Sequence, residues 1–349
     1  MILLREIQDR DLDALERFAQ IPGFINLTAD RDVLRDKIRA SVQSFRTSPA
    51  PGKFDGKYLF VAEHIESNRV VGTSMIAAEH GNPESPHFYF EVASEEKYSD
   101  TINTGFIHGT LKLKYDTDGP SEIGGLVLDP QYRNTDARVG RQLSFVRFLF
   151  VGLNKTRFKR KILAELLPPL NKKGQSPLWE AVGRRFTNMD YWEADQLCQK
   201  NKEFIFSLFP SGKIYTTFLP AEARNSIGKV GKETEPVIHM LKKIGFTYKN
   251  QVDPFDGGPH LWADIDQILP IQKLRTVRLD APASRAGGGD EQSGLLAPLV
   301  QKPGEFRAAS VHTAPSDQGG LTLPLSEMEQ LHTHLGISAG DSVVFMPYY

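Results

Sequence analysis

The segment "IGGLVLDPQYRNTDARVGRQLSFVRFLFV", residues 123–151, runs from an apolar, strand-like stretch through a polar loop into an amphipathic, helix-like stretch. The first amides of a helix have no partner within the helix and carry partial positive charge. A phosphate that bridges them therefore replaces water with directed hydrogen bonds. The loop, which contains several arginines, is either a simple connection or a phosphate site. The segment alone leaves both readings open, because polar residues occur at any strand–helix junction.

Composition limits the classes of protein to which the chain can belong. Its 349 residues, 40% hydrophobic and 24% charged, are enough for one large domain with an appendage, or for two domains. A formal charge of -1 argues against nucleic acid or an anionic membrane as a partner. Cys198 is the only cysteine, which excludes an internal disulfide and fits a reducing compartment. The apolar runs fall short of the roughly 20 residues that span a bilayer. We predict a cytoplasmic protein.

The elements around the opening segment alternate between strands and helices. Upstream, "KYLFVAEHI" and "RVVGTSMIAAE" predict an antiparallel hairpin. Downstream, "RKILAELLPP" predicts a central strand that ends at Pro168 and Pro169, which cannot donate ladder hydrogen bonds. "EPVIHMLKKIGF" predicts a helix and "HLWADIDQI" a final strand.

The same patterns predict the division of the chain into domains. Residues 1–270 form the expected core, and residues 171–232 read as a helical insertion within it. Residues 281–303 are rich in Gly, Ala, Ser and Pro, a composition typical of a flexible linker. Residues 304–349 are expected to form a small β-rich C-terminal region.

This order of elements resembles that of the GCN5-related N-acyltransferase superfamily. The resemblance implies an α+β fold with a mixed, mostly antiparallel sheet flanked by helices, and coenzyme A pyrophosphate at the loop. The superfamily pattern is Arg or Gln, two residues, Gly, one residue, then Gly or Ala. Gly140 fills the last place, but Arg138 stands where glycine is expected and Thr135 where arginine is expected. The candidate phosphate contacts are Arg133, Arg138, Val139, Gly140 and Arg141, and the alternative is that the arginines are solvated.

Longer phrases identify a narrower resemblance. "LVLDPQYR", "GQSPLWEAVGRRFTNMDYWEAD", "IYTTFLPAEARNSIGKV" and "DPFDGGP" are similar to the arginine N-succinyltransferase family. The resemblance extends from the N-terminal strand to about Ile268, and more loosely over the tail. It implies succinyl-CoA or a related acyl-CoA as cosubstrate, no permanently bound cofactor, and the amine of arginine or a similar basic amino acid as acceptor. It is compatible with a homo- or hetero-oligomer.

Acyl transfer from a thioester to an amine requires a neutral nucleophile, a base to take its proton, and donors for the developing oxyanion. In this fold a splayed central strand leaves backbone donors unpaired. We therefore expect the amides of Leu126, Val127 and Leu128 to contact the thioester, and the family resemblance supports Leu126. The other reading is that these three residues only fill the core.

The proton-transfer residue is the least settled part of the site. The family histidine stands in a "G-x-V-H" phrase, which in this chain reads "GKVG", so Gly231 occupies its place. His239 is one substitute, although a lone histidine on a helix is more often a surface residue. Glu165 is the preferred candidate, because its leucine neighbours would bury it and raise its pKa toward the range of a useful base. The alternative is that Glu165 orients a loop or binds the cationic end of the substrate.

"DPFDGGPH" contains the remaining candidates, Asp253, Asp256 and His260. The aspartates either cap a tight Gly-Gly-Pro turn or face a cationic acceptor, and we expect all three residues to contact substrate. A metal is not expected, because an oxygen-ligand site would need more convergent carboxylates and the reaction requires none.

Two classes of function remain. The first is an N-acyltransferase of amino-acid catabolism that uses succinyl-CoA or a related acyl-CoA. The second is a catalytically inactive acyl-CoA-binding sensor or partner module of the same fold, which the missing histidine favours. The retained "DPFDGGP" and "GQSPLWE" phrases argue for the enzyme. Turnover distinguishes the two, because a sensor would bind the thioester without consuming it.

Overall fold

The computed structural model describes residues 1–21, 30–198, 201–282 and 291–349. Strands and helices in these ranges are numbered in chain order. The strands are β1 (Ile2–Glu6), β2 (Lys57–His64), β3 (Arg69–Ala77), β4 (His87–Ser99), β5 (Thr104–Asp116), β6 (Ser121–Leu128), β7 (Lys161–Glu165), β8 (Lys213–Tyr215), β9 (Thr247–Val252), β10 (Pro259–Asp264), β11 (Arg275–Arg278), β12 (Gln292–Pro298), β13 (Arg307–Pro315), β14 (Leu321–Thr322) and β15 (Ser342–Pro347). The helices are α1 (Leu12–Ala19), α2 (Arg31–Arg46), α3 (Val139–Leu153), α4 (Pro177–Ala181), α5 (Gly183–Thr187), α6 (Tyr191–Cys198), α7 (Glu203–Leu208), α8 (Ala221–Ser226), α9 (Glu235–Lys243), α10 (Leu269–Gln272) and α11 (Leu325–Leu335).

The chain divides into two compact units. The first contains Met1–Ala78, Ile123–Arg160 and Asp264–Tyr349, and the second contains Glu79–Glu122 and Lys161–Ala263. This division differs from the predicted core of residues 1–270 with an appended C-terminal region. The reason is that the C-terminal strand β13 pairs directly with the N-terminal strand β1. The C-terminal residues are therefore part of the first unit.

The first unit is built on strands in the order β11-β15-β12-β13-β1-β2-β3-β6. The predicted hairpin is confirmed, since β2 and β3 pair antiparallel with Tyr58 opposite Ile76. Helix α2 packs on β2, and α3 packs on β2 and β3. Asp30 caps α2, because its side chain accepts hydrogen bonds from the amides of Asp32 and Val33.

The predicted flexible linker is corrected in part. Residues 292–298 form β12, which lies between β13 and β15. Leu295, Leu296 and Ala297 are fully buried there, so the apolar centre of the segment outweighs its Gly- and Ser-rich flanks. Residues 283–290 of the predicted linker lie outside the described residues.

The second unit contains strands in the order β6-β7-β10-β9-β4-β5-β8, and β6 enters it only through Ser121 and Glu122. The β6–β7 pair is parallel, whereas β4–β5, β4–β9, β5–β8 and β9–β10 are antiparallel. A mixed, mostly antiparallel sheet together with helices agrees with the predicted α+β class.

The predicted helical insertion holds α4 to α8, interrupted by the short strand β8. Ser176 caps α4 by accepting a hydrogen bond from the amide of Trp179. The indole of Trp179 stacks on Phe255 with ring centroids 4.9 Å apart, which anchors the block to the turn after β9. None of the helices in the described ranges combines the length and apolarity that crossing a bilayer requires.

Candidate active site

The end of β6 carries the predicted thioester contacts. The pairing of β6 with β7 includes only Ser121 and Glu122, so the later residues of β6, Leu126 to Leu128 among them, lie outside that ladder. Gly125 shapes the strand just before them. It has a φ of +58°, and a Cβ at this position would lie 2.7 Å from Cγ of Met75. Only glycine fits both conditions.

The loop after β6 leads into α3 through an unusual N-cap. Arg138 is the N-cap residue and adopts the left-handed conformation, with a φ of 46° and a ψ of 45°. This is the position where the superfamily pattern has glycine, the residue that adopts the conformation without strain. No side chain caps the helix. The first amides hydrogen-bonded back to the carbonyl oxygen of Arg138 are those of Arg141 and Gln142. The amides of Val139 and Gly140 therefore precede the helical ladder, as a phosphate site requires.

Arg141, in the first turn of α3, packs against an aromatic ring. Its guanidinium carbon lies 4.1 Å from the ring centroid of Tyr348, the second-last residue of the chain. Burial lowers the pKa of Arg141, and its Nε is buried without a hydrogen-bond partner in the described structure. Arg133 is held differently, because its Nε donates to the carbonyl oxygen of Leu128 at 3.4 Å. The first unit thus brings the predicted acyl-CoA residues together around one strand–helix junction.

In the second unit, Glu165 ends β7 and is surrounded by three histidines. Its Oε1 lies 3.5 Å from Nε2 of His80, 3.6 Å from Nδ1 of His87 and 3.5 Å from Nε2 of His260. His87 and His260 belong to β4 and β10, whereas His80 lies between β3 and β4. Nδ1 of His80 contacts Oε2 of Glu122 at 2.8 Å. Three imidazoles and two carboxylates therefore converge in one unit.

Burial controls the protonation of this cluster. It raises the pKa of Glu165 to about 8, in the direction that the leucine-rich flanks predicted. It also lowers the pKa of His87 well below its usual range and that of His260 to about 3. Burial acts in the same direction on His80, but the carboxylates of Glu122 and Glu165 outweigh it and raise the pKa of His80.

Two of these histidines lack hydrogen-bond partners. Only 1% of His87 and 0% of His260 is exposed, and all four of their ring nitrogens are buried without a partner among the described residues. Buried polar atoms in native structures are normally satisfied, so unpaired ones call for a physical explanation. In contrast, 22% of the His80 side chain and 26% of the Glu165 side chain remain exposed.

Asp253 and Asp256 cap the turn between β9 and β10. Oδ1 of Asp253 accepts hydrogen bonds from the amides of Phe255 and Asp256, at 2.7 and 3.0 Å. Oδ1 of Asp256 accepts one from the amide of Gly258 at 2.7 Å. Burial raises the pKa of both carboxyl groups. Of the two predicted roles, capping is therefore present, while contact with an acceptor stays a prediction.

His239 is separate from the Glu165 cluster. It is exposed on α9, and its Nδ1 contacts the carbonyl oxygen of Glu235 at 2.7 Å. Gly231, at the place of the family histidine, donates its amide to the carbonyl oxygen of Leu167 at 3.0 Å. A Cβ at position 231 would lie 3.2 Å from the carbonyl oxygen of Pro168. Position 231 therefore adjoins the segment that directly follows Glu165.

Ligand atoms spaced closely enough for a metal ion occur twice in the described ranges. His80, His87 and Glu165 form one group, and Glu165, Asp253 and His260 form the other, each with its ligand atoms within 4.8 Å of one another. His80, His87 and Glu122 were not predicted as site residues. No motif spacing links them, because they come from a loop and two strands that only the folded chain brings together.

The order of strands around β6, with β6 parallel to β7 and a loop leading into α3, defines the class of protein. The chain is an acyltransferase with the GCN5-related N-acyltransferase fold. The model of the arginine N-succinyltransferase beta subunit family matches residues 2–270, and the chain belongs to this family.

Full-length relatives agree with this assignment. The chain is 34% identical to an arginine N-succinyltransferase of Citrobacter koseri over 339 residues, which cover 96% of each chain. It is 33% identical to one from Escherichia coli over 341 residues, also 96% of each chain. Among solved structures it is similar to the arginine/ornithine succinyltransferase subunit AI of Pseudomonas aeruginosa. That match has a TM-score of 0.82 and 26% identity, and covers 99% of this chain and 98% of the other.

Proposed function

We propose that the protein transfers the succinyl group of succinyl-CoA to the α-amine of arginine or a closely similar basic amino acid. Family membership and the names of the relatives support the reaction. The structural observation that carries the proposal is the early end of the β6–β7 ladder at Glu122. It leaves the end of β6 outside that pairing, which supports the proposed contact with the thioester.

The amides of Leu126, Val127 and Leu128 are the proposed thioester contacts. A strand edge outside a ladder presents backbone donors at fixed positions, and donors fixed in advance stabilise a developing oxyanion without reorganisation. Gly125 is important here because its positive φ sets the direction of the residues that follow. Positioning of the two substrates would supply much of the remaining rate enhancement.

The phosphates of coenzyme A are proposed to bind at the N-terminus of α3. The amides of Val139 and Gly140 precede the helical ladder, and Arg133, Arg138 and Arg141 supply positive charge. A non-glycine residue in the left-handed region costs of order 1 kcal/mol or more and persists where the surroundings enforce it. Arg138 in that conformation supports a functional loop rather than a plain connection.

The acceptor amine is proposed to depend on the second unit. Glu165, Asp253 and Asp256 contribute buried carboxyl groups whose ionised forms a bound cationic amino acid would favour, and His260 lies against Glu165. Glu165 is the proposed residue on which turnover depends most, because it is the centre of the histidine cluster. His239 is not favoured, since it is exposed and its Nδ1 contacts a backbone carbonyl of its own helix.

A thiol-release assay tests the reaction. Succinyl-CoA and acetyl-CoA are each paired with arginine, ornithine, lysine and a polyamine, and free coenzyme A is measured. We expect the fastest release with succinyl-CoA and arginine or ornithine. Binding of succinyl-CoA without release with any of these acceptors would support the inactive alternative instead. The predicted cytoplasmic location and oligomeric assembly stay predictions.

A further inference from the structure

We propose that the second unit binds a divalent transition-metal ion, with Zn²⁺ the expected species, through Nε2 of His80, Nδ1 of His87 and Oε1 of Glu165. This inference departs from the prediction of no metal, which considered only Asp253, Asp256 and His260. It does not rest on the proposed function, because metal binding is measured without turnover.

Two distances between the ligand atoms fit a tetrahedral site, and the ligand atoms of all three residues lie within 4.8 Å of one another. Zn²⁺ binds imidazole nitrogen and carboxylate oxygen at about 2.0–2.2 Å, so two ligands of one tetrahedral ion lie about 3.3–3.6 Å apart. Oε1 of Glu165 lies 3.5 Å from Nε2 of His80 and 3.6 Å from Nδ1 of His87. These distances are longer than an N–H···O hydrogen bond, which spans about 2.7–3.2 Å. A shared proton therefore explains the arrangement less well than a shared cation does.

His80 is held in the orientation of a metal ligand. Its Nδ1 lies 2.8 Å from Oε2 of Glu122, so this nitrogen donates its proton to the carboxylate. In the neutral imidazole, Nε2 then carries a lone pair that faces Glu165, and a metal ion would take the place of the proton that this nitrogen otherwise binds. Ligating histidines usually donate the other ring nitrogen to a carboxylate in this way, which fixes the tautomer and makes the ligand more basic.

Unpaired atoms around the site provide the second, independent observation. His87 is 1% exposed, and neither of its ring nitrogens has a hydrogen-bond partner among the described residues. Coordination through Nδ1 would give this buried side chain a partner. His260 is also buried without a hydrogen-bond partner among the described residues, and its Nε2 lies 3.5 Å from the same Oε1 of Glu165.

Charge favours a cation at this position. The carboxyl groups of Glu122 and Asp253 act electrostatically on Glu165, and Glu165 and Asp253 act on Asp256. The ammonium group of Lys202 acts on Glu122 and Glu165. Buried carboxylates are costly unless they are paired or bind a metal. Three protein ligands leave a fourth position open. The partly exposed side chains of His80 and Glu165 leave a route by which an ion could enter.

Metal analysis of the full chain tests this site. The protein is dialysed against a chelator, reconstituted with Zn²⁺ or Co²⁺, freed of excess metal, and measured by mass spectrometry of the element. We expect about one Zn²⁺ per chain. With Co²⁺ we expect the visible absorption bands of tetrahedral nitrogen and oxygen coordination.

Three variants locate the ion. His87→Ala should abolish stoichiometric binding. Glu122→Gln, which removes only the carboxylate behind His80, should weaken Zn²⁺ binding about 10–100-fold. His239→Ala is the matched control, because it removes an exposed histidine of the same unit and should leave binding unchanged. Circular dichroism confirms that each variant is folded, and if His87→Ala fails to fold, Glu122→Gln decides the result.

Three results would overturn the proposal. The first is a wild-type protein that retains neither ion. The second is a metal content that Glu122→Gln and His87→Ala leave unchanged, which would place the ion elsewhere. The third is a metal-free protein that binds arginine and loses this binding in His87→Ala, because the cluster would then serve only the acceptor site.

Discussion

The contact between Arg141 and Tyr348 predicts that the end of the chain contributes to acyl-CoA affinity. Arg141 is a proposed phosphate contact, and the ring of Tyr348 lies 4.1 Å below its guanidinium carbon. Arg141→Met removes the charge and a directed hydrogen bond to phosphate. Hydrogen bonds to charged groups contribute about 1.5–3 kcal/mol, so we expect the Kd for succinyl-CoA to rise about 10–150-fold.

Replacing the ring tests positioning separately from charge. Tyr348→Leu keeps Arg141 but removes a cation–π contact of about 0.5–2 kcal/mol, so the Kd should rise about 2–30-fold. Tyr348→Phe is the matched control, because it retains the aromatic face and should bind nearly as the wild type does. In the Arg141→Met background, Tyr348→Leu should have little further effect, since no guanidinium remains to be held.

Calorimetric titration with succinyl-CoA at low and moderate salt measures the wild type and all four variants. The salt dependence should fall in Arg141→Met, because one phosphate contact is lost. Two results would refute the reasoning. One is unchanged affinity of folded Arg141→Met. The other is a Tyr348→Leu effect of equal size in both backgrounds, which would mean that Tyr348 acts through the general stability of the first unit.

Three further outcomes follow from the contacts. Glu165→Gln should lower kcat in the thiol-release assay by about 10²-fold or more, while acyl-CoA affinity changes little. Turnover close to that of the wild type would show that Glu165 has no role in the reaction. Leu295→Ala should reduce the free energy of unfolding in urea by about 2–5 kcal/mol because the side chain is fully buried in β12, whereas a flexible linker would tolerate the change. Asp11→Ala should lower the free energy of unfolding by about 1.5–3 kcal/mol in the same measurement. The buried guanidinium of Arg5 loses its bonds to Asp11, at 2.7 and 2.9 Å, but keeps its ion pair with Glu63.

Local patterns in the sequence were sufficient to predict much of the fold. The β2–β3 hairpin, β6, α3 and β7 were predicted because alternation, helical periodicity and proline positions act over a few residues. The burial of Glu165 could also be predicted from the sequence, because its leucine neighbours lie beside it in the chain. The buried strand β12 was not predicted, because the Gly- and Ser-rich residues on either side of Leu295 and Leu296 made the whole segment resemble a linker in composition.

The surroundings of Glu165 were not predictable in the same way. His80, His87 and Glu122 come from three elements, and no spacing in the sequence relates them to β7. Their convergence depends on the strand order of the second unit, which is a property of long-range pairing. The left-handed conformation of Arg138 could not be predicted either. In the sequence, an arginine at the place of a motif glycine indicates only that the motif is incomplete.

The pairing of β1 with β13 also determines when the first unit can finish folding. Leu3 pairs with Ala309, so about 300 residues are synthesised between the two strands. At the usual rate of synthesis, β1 waits roughly 15–60 s for its second neighbour. During that time one edge of β1 presents unpaired amides and carbonyls that invite association with other chains. The family-matched residues 2–270 end before β13 begins, so a fragment with those limits would keep this edge permanently open. Nascent chains of this protein should therefore depend on chaperones until their last strands emerge.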